Sequence, residues 1–258
     1  MSRDSTGKVL RVAFLLCVVC SVLVSAAAVV LSDRQERNKV EEKNKNILQA
    51  AGLYEAGIPV EDQFSKIKIR IVDLQTGEFS QVFDAATFDS RSAARDPETR
   101  YQIPPELDLA AIKNRSHYQD VYLVMDDGRL QQIILPVHGK GLWSTMYGFI
   151  SLAEDFSTVN GFAFYEHGET PGLGGEIDNP SWKKQWPGKK IYDDAGNLRI
   201  EVLKGRVDKK SGNAIYQADG LAGATLTARG VSNLLKYWLG DNGYKPFLEK
   251  LKEAGIKP

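Results

Sequence analysis

The sequence predicts an α+β fold: a single N-terminal transmembrane helix followed by a domain built on a mostly antiparallel sheet. Three observations carry that expectation. Residues 12–31 contain no charged side chain, and ~20 apolar residues cross the hydrocarbon of a bilayer. Short apolar runs separated by tight-turn signals fill the middle of the chain, and short turns join antiparallel strands. Helical spacing then appears at Val231, Leu234, Leu235 and Trp238, so within the domain strands come before helices.

Composition bounds the function. With 43% hydrophobic and 26% charged residues the chain can bury a real core. Its 33 basic and 33 acidic residues cancel, which leaves no basic footprint for a nucleic acid partner. Both cysteines, Cys17 and Cys20, lie in the apolar run. The rest of the chain therefore has no disulfide framework and no Cys-ligated metal or iron–sulfur site. The pair has redox-motif spacing but no polar neighbours, and reads as small apolar residues.

Taken in order, Arg3, Lys8 and Arg11 precede the apolar run. They also suit a cleaved signal peptide, for which Ala26-Ala27-Ala28 would serve as the cleavage site. The run continues through Val29, Val30 and Leu31, which favours an uncleaved anchor. Lys and Arg flank it on both sides, so their count does not set the orientation. Residues 33–53 read as a polar helical stalk with a thin stripe of Val40, Ile47, Leu48 and Ala51. Gly57-Ile58-Pro59 is expected to break it. The expected organisation is residues 1–11 before the membrane, 12–31 across it, 32–57 as stalk and 58–258 as the exported domain.

Residues 66–74 alternate strictly and predict a half-buried strand. A turn over residues 75–78 should lead to a second strand at 79–83. Residues 84–107 lose the pattern and read as a surface excursion or short helices. Strands resume at 121–125 and 130–137 around the Asp126-Asp127-Gly128 turn, then at 146–152 and 159–165. Leu248, Leu251 and Ile256 are expected to cover the domain.

Two stretches stand out for chemistry. The first joins Gly139-Lys140-Gly141-Leu142-Trp143-Ser144 with Glu166-His167-Gly168-Glu169-Thr170-Pro171-Gly172-Leu173-Gly174-Gly175. Such dense glycine marks either a cluster of turns or a backbone that lies flat against a ligand. Thr170 and exposed N–H groups would then meet the rim of a planar ring, with Leu173 and Trp143 on its faces. It is neither a P-loop nor a dinucleotide fingerprint. His167 with Glu166 or Glu169 invites a metal or acid–base reading, but His117 and His138 lack ligand spacing, and no metal is expected. Nearby, Trp182 and Trp186 read either as a docking face for a partner or as a buried pair.

The second stretch is Asp219-Gly220-Leu221-Ala222-Gly223-Ala224-Thr225-Leu226-Thr227, just before the helical pattern. Thr225 at the helix start reads as an N-cap. The alternative is a phosphate site, since unpaired N–H groups and the helix dipole favour an anion there.

Residues 219–225 resemble the flavinylation motif of the FMN-binding domain family. In that family a flavin transferase joins FMN to the last threonine of the motif through a phosphoester. Ala222 departs from the usual Ser or Thr. The runs 169–174 and 141–144 resemble the family's ring-contacting loop and its neighbouring aromatic strand, and the resemblance spans residues 66–239. It implies a covalent FMN on Thr225. It implies contacts from Asp219, Gly223, Ala224, Thr227, Trp143, Ser144, Glu169, Thr170, Leu173 and Gly174. Within the family the resemblance is to flavin-carrying subunits of the six-subunit Na+-translocating NADH:quinone reductases, which relay electrons from the outer face of the bacterial inner membrane with the N-terminus in the cytoplasm. The alternatives are a flavin-carrying subunit of Rnf-type electron-transport complexes, or an exported binding or sensory module without flavin.

Overall fold

The computed structural model describes residues 6–254, which fall into two compact units parted between Lys43 and Asn44. The described residues of the first unit lie within one continuous helix, α1 (Thr6–Ala50). Its segment Gly7–Ser32 is long and apolar enough to cross a membrane, and none of that window is buried in protein. Leu15, Leu16, Val29 and Val30 are exposed, unlike the side chains of a soluble core helix. Cys17 and Cys20 are exposed free thiols on the same stretch. Arg3 of the basic N-terminal flank lies outside the described residues, as does Ile256 at the other end.

The second unit begins with the last turns of α1. Ile47, Leu48, Ala50 and Ala51 are buried there, so this end of the expected stalk is core. The helix stops five residues before the expected Gly57-Ile58-Pro59 break, at Gly52 with φ +69. Gly52 N–H donates to Gln49 O at 3.1 Å and Leu53 N–H to Leu48 O at 2.8 Å. This is the Schellman arrangement, whose left-handed residue is usually glycine. Pro59 instead precedes the next helix, α2 (Val60–Phe64).

The chain then lays down β1 (Ile67–Asp73), β2 (Glu78–Ser80), α3 (Ser90–Ala93), β3 (Arg100–Gln102), β4 (Asn114–Ser116), β5 (Tyr118–Asp126), β6 (Arg129–Lys140), β7 (Thr145–Ala153) and β8 (Val159–Glu166). After them come α4 (Pro180–Lys183), β9 (Glu201–Val202), β10 (Gln217–Ala218), α5 (Thr225–Trp238) and α6 (Lys245–Ala254). Six strands form one sheet in the order β2-β1-β5-β6-β7-β8, and every neighbouring pair is antiparallel. The β5–β6 turn carries Asp127 at φ 46 and Gly128 at φ 76, the two positive angles that a type I′ hairpin requires.

The expected second strand at 79–83 shrinks to three residues, because Phe83 turns away to pack on Phe88 and Tyr118. The excursion that follows is tied down. Asp89 caps α3, Ser90 Oγ donates to Asp120 Oδ1 at 2.7 Å, and Arg91 forks onto Glu166 at 2.6 and 3.1 Å.

Alternation buries both faces of the sheet. On one, Leu123, Ile133, Leu135, Ile150 and Phe162 meet Val231, Leu234, Leu235 and Trp238 of α5 with Phe247 and Leu248 of α6. On the other, Tyr122, Val124, Ile134, Phe149 and Ala163 meet Ile47 and Leu48 from the end of α1. Trp182 and Trp186 join the first core as a T-shaped pair 5.3 Å apart. The docking reading of these two rings is thus overturned by their burial.

The close approach of α1 to β8 depends on Gly161, where a Cβ would lie 2.3 Å from Ala50 O. Gly161→Ala is expected to destabilise this unit by about 1–3 kcal/mol through overpacking. Urea unfolding followed by tryptophan fluorescence measures it; an unchanged midpoint would contradict the packing.

Candidate functional site

The site forms where the start of α5 meets two glycine-rich loops. Ala224 occupies the N-cap position of α5 with φ −129 and ψ 50, and no side chain caps the helix. The expectation that Thr225 acts as the N-cap therefore fails. Thr225 is the first helical residue and is half-buried. The first N–H groups of a helix have no partner within it, so this end stays open to an acceptor. Before it the chain turns, with Ala224 N–H donating to Leu221 O at 3.2 Å. Gly223 has φ +72, and a Cβ there would meet Leu173 Cδ2 at 2.9 Å.

Glu169 organises the rest. Its Oε1 accepts from Trp143 N at 2.9 Å, Ser144 N at 3.1 Å and Ser144 Oγ at 3.3 Å. Its Oε2 accepts from Leu142 N at 3.1 Å and from Thr227 Oγ1 at 2.6 Å. Burial alone would raise the pKa of this carboxyl, which is 4% exposed. The donations from Thr227 and from the amides of Trp143, Ser144 and Leu142 outweigh burial and hold it below the ordinary carboxylate range. With so many donors in place, Glu169 braces the site and has no spare lone pair aimed at a ligand.

Small residues make the convergence possible. A Cβ at Gly141 would sit 2.5 Å from Glu169 Oε1, and one at Gly174 would sit 2.6 Å from Thr227 Oγ1. At Gly230 it would lie 2.4 Å from Lys140 O, so α5 presses directly on the end of β6. Ser144 Oγ also accepts from Gly168 N at 2.7 Å. His167 Nδ1 accepts from Glu169 N at 3.2 Å, which leaves Nε2 as the donor to Asp178 Oδ2 at 2.7 Å. His167 thus holds its loop in place.

Apolar side chains stay uncovered around this frame: Trp143 is 67% exposed, and Leu142, Leu173 and Leu226 are exposed too. Thr170 is exposed, and its carbonyl accepts from Leu173 N and Gly175 N. Asp219 stands slightly apart. Its Oδ1 accepts from Val207 N at 2.7 Å, its N–H donates to Gln185 Oε1, and its carbonyl takes the Trp182 indole N–H at 2.9 Å. The arrangement offers one half-exposed hydroxyl at an open helix start, beside apolar faces that suit a flat ring. The sequence reading placed Gly141, Leu142 and Leu226 within its two candidate stretches without giving them a contact, and it missed Gly230. Gly141 was legible as the glycine flanking Leu142-Trp143-Ser144; Gly230, inside a helical pattern, signalled a close approach.

Residues 141–240 match the FMN-binding domain family. Over 98% of both chains, the sequence is 49% identical to the NqrC subunit of the Na(+)-translocating NADH-quinone reductase of Pseudomonas aeruginosa. It is 45% identical to the Vibrio alginolyticus protein of the same name, over 99% of this chain and 98% of that one. Among solved structures, the Shewanella oneidensis NqrC crystal structure superposes with TM-score 0.76 at 35% identity, covering 85% of this chain and 99% of that one.

Because the folded-state pKa of Glu169 lies below its unfolded value of about 4.3, its contribution is complete above that pH. It is lost as pH falls through the folded value. Glu169→Gln is expected to cost about 2–3 kcal/mol at pH 7 and visibly less near pH 3. Urea unfolding of both proteins at the two pH values checks this; a gap that stays constant would contradict it.

Proposed function

The chain belongs to the NqrC family, whose members are subunits of Na(+)-translocating NADH-quinone reductases, and from that premise we propose that it carries electrons on an FMN esterified to Thr225. The Rnf-type alternative gives way to the naming of these full-length relatives. The flavin-free sensory alternative is less consistent with the FMN-binding match over residues 141–240.

One observation carries the reading: Thr225 is half-exposed at a helix start that no side chain caps. A phosphate ester on its Oγ1 would meet the free N–H groups and the positive end of the α5 dipole. Trp143 and Leu173 supply uncovered apolar surface for an aromatic ring. Gly223, exposed and two residues before Thr225, adds no Cβ between Leu173 and the helix start. FMN, when bound, supplies the redox chemistry. The residues of this chain tether it, orient it and shield part of it from water. Asp219, less than ten residues before Thr225, anchors the motif to the Trp182 turn.

Residues 12–31 of α1 would cross the inner membrane, with residues 1–11 in the cytoplasm and the flavin domain in the periplasm. A covalent tether suits that compartment, where a dissociated cofactor would dilute away. The partners on this reading are the other members of an assembly of six subunits and the transferase that installs the flavin. NADH oxidation, quinone reduction and sodium movement belong to that whole assembly.

Thr225→Val exchanges a hydroxyl for a methyl at a half-exposed position, so stability should change by no more than about 0.5 kcal/mol. Covalent flavin should vanish. A denaturing gel viewed for flavin fluorescence, beside the intact mass of the membrane-extracted chain, reads both; a fluorescent band in the variant would remove Thr225 from the account.

A further inference from the structure

We propose that Glu169 and Thr227 form a positioning pair that presents Thr225 to the transferase: the Glu169 carboxylate fills, from within the protein, the competing anion site beside the attachment point. The inference rests on attachment at Thr225 and adds how that residue is set apart from its neighbour.

Residues two apart on an α-helix point about 200° away from each other. Thr225 is half-exposed, whereas Thr227 is 0% exposed and donates its hydroxyl proton to Glu169 Oε2 at 2.6 Å. The second hydroxyl is therefore committed to a brace between α5 and the loop after β8. On the other side of the same carboxylate, three successive amides, those of Leu142, Trp143 and Ser144, converge on its two oxygens. Successive N–H groups aimed at one point are an anion-binding concavity. Left empty, it would attract a flavin phosphate as well as the start of α5 does. With Glu169 in it, the open donors that remain are those beside Thr225. The same contacts fix the backbone that carries the exposed Trp143 ring, so the surface awaiting the flavin exists before the flavin arrives.

Attachment itself forms a P–O bond between Thr225 Oγ1 and the flavin-side phosphorus of a flavin pyrophosphate donor. The donor's pyrophosphate P–O bond breaks, its other phosphate half leaves, and the hydroxyl proton passes to solvent. No electrons are gained or lost. Glu169 touches none of these atoms and acts through Thr227 and the loop.

The test compares full-length Glu169→Gln, Thr227→Val and Thr227→Ser with the parent chain. Each is co-expressed with the flavin transferase, and labelling is followed by intact mass. Each is also made without the transferase for hydrogen exchange of the 142–144 amides, with the β5 amides of Tyr122 and Val124 as internal reference. Glu169→Gln and Thr227→Val should label about tenfold more slowly, the loss of one charge-assisted hydrogen bond. Their loop amides should exchange about tenfold faster while β5 does not change. Thr227→Ser, which keeps the hydroxyl, should match the parent in both readouts. Parental labelling in both Glu169→Gln and Thr227→Val overturns the proposal, and so does slow labelling with loop exchange unchanged. Should Glu169→Gln fail to fold, Thr227→Val decides alone. Thr225→Val separates the two levels: flavin retained there sinks the attachment reading. Flavin lost there, with full labelling in the other variants, sinks only the positioning role.

Discussion

The buried carboxylate of Glu169 is the interaction on which the site depends. It gathers the amides of Leu142, Trp143 and Ser144, the Ser144 hydroxyl and the Thr227 hydroxyl. These come from the β6–β7 turn and from α5, while Glu169 itself sits beyond β8. A carboxylate in a buried place is costly unless its lone pairs are taken up, and here the donors exist because the chain removed side chains to admit them. Gly141 and Gly174 have no Cβ in the space that Glu169 and Thr227 occupy. The glycine density of these loops is first an internal packing requirement, and the exposed surface above them follows from it.

That arrangement needs a rigid floor, and the sheet supplies one. β6 pairs with β5 only as far as Tyr122↔Ile134, while its pairing with β7 continues to Lys140↔Thr145. Where β5 has left, Pro136 is tolerated in a central strand because no β5 ladder bond is lost there. Polar tips pin the helical side onto this exposed backbone. Trp238 Nε1 donates to His138 O at 2.7 Å, Tyr244 OH to Pro136 O at 2.8 Å, and Lys140 N–H to Ala110 O at 2.8 Å. The C-terminal end of α5 is thereby fixed against β6, which sets where its N-terminal end meets the loops.

The strands were legible because each of their residues answers to one face of the sheet. Residues 121–125, 130–137, 146–152 and 159–165 all lie within observed strands, and the Asp127-Gly128 turn fixed one register. The end of α1 was misread for an equally physical reason. Gly57-Ile58-Pro59 holds two strong helix breakers, whereas Gly52 ends the helix through a carbonyl pattern and a buried Leu48 that no local rule displays. Trp182 and Trp186 have helical spacing and flanking lysines whether they face a partner or a core. Only the third dimension shows Trp186 against Phe162 of β8, with Trp182 packed on Trp186. In the site, Thr225 could be found by motif, but the Glu169–Thr227 contact joins residues far apart in sequence and left no trace in spacing.

Ala is among the poorest N-cap residues, and its use in place of Ser, Thr, Asn or Asp forgoes about 0.5–2 kcal/mol. At Ala224 the chain accepts that loss at the head of a largely buried helix, although Thr225 stands one position away. A local rule broken in an otherwise consistent element is expected where function competes with stability. An anion at a helix N-terminus returns about 0.3–1 kcal/mol, and up to ~2 kcal/mol when partly buried. The two magnitudes match, so on the proposed reading the phosphoester completes the capping that the sequence withholds. A Ser or Thr cap at position 224 would have taken up one of those amides in advance, and on the same reading the incoming phosphate would have had to compete for it. On that reading the uncapped start and the filled amide cluster are two halves of one arrangement: Glu169 occupies the anion-seeking amides of Leu142, Trp143 and Ser144, and the donors beside Thr225 stay open for the proposed ester.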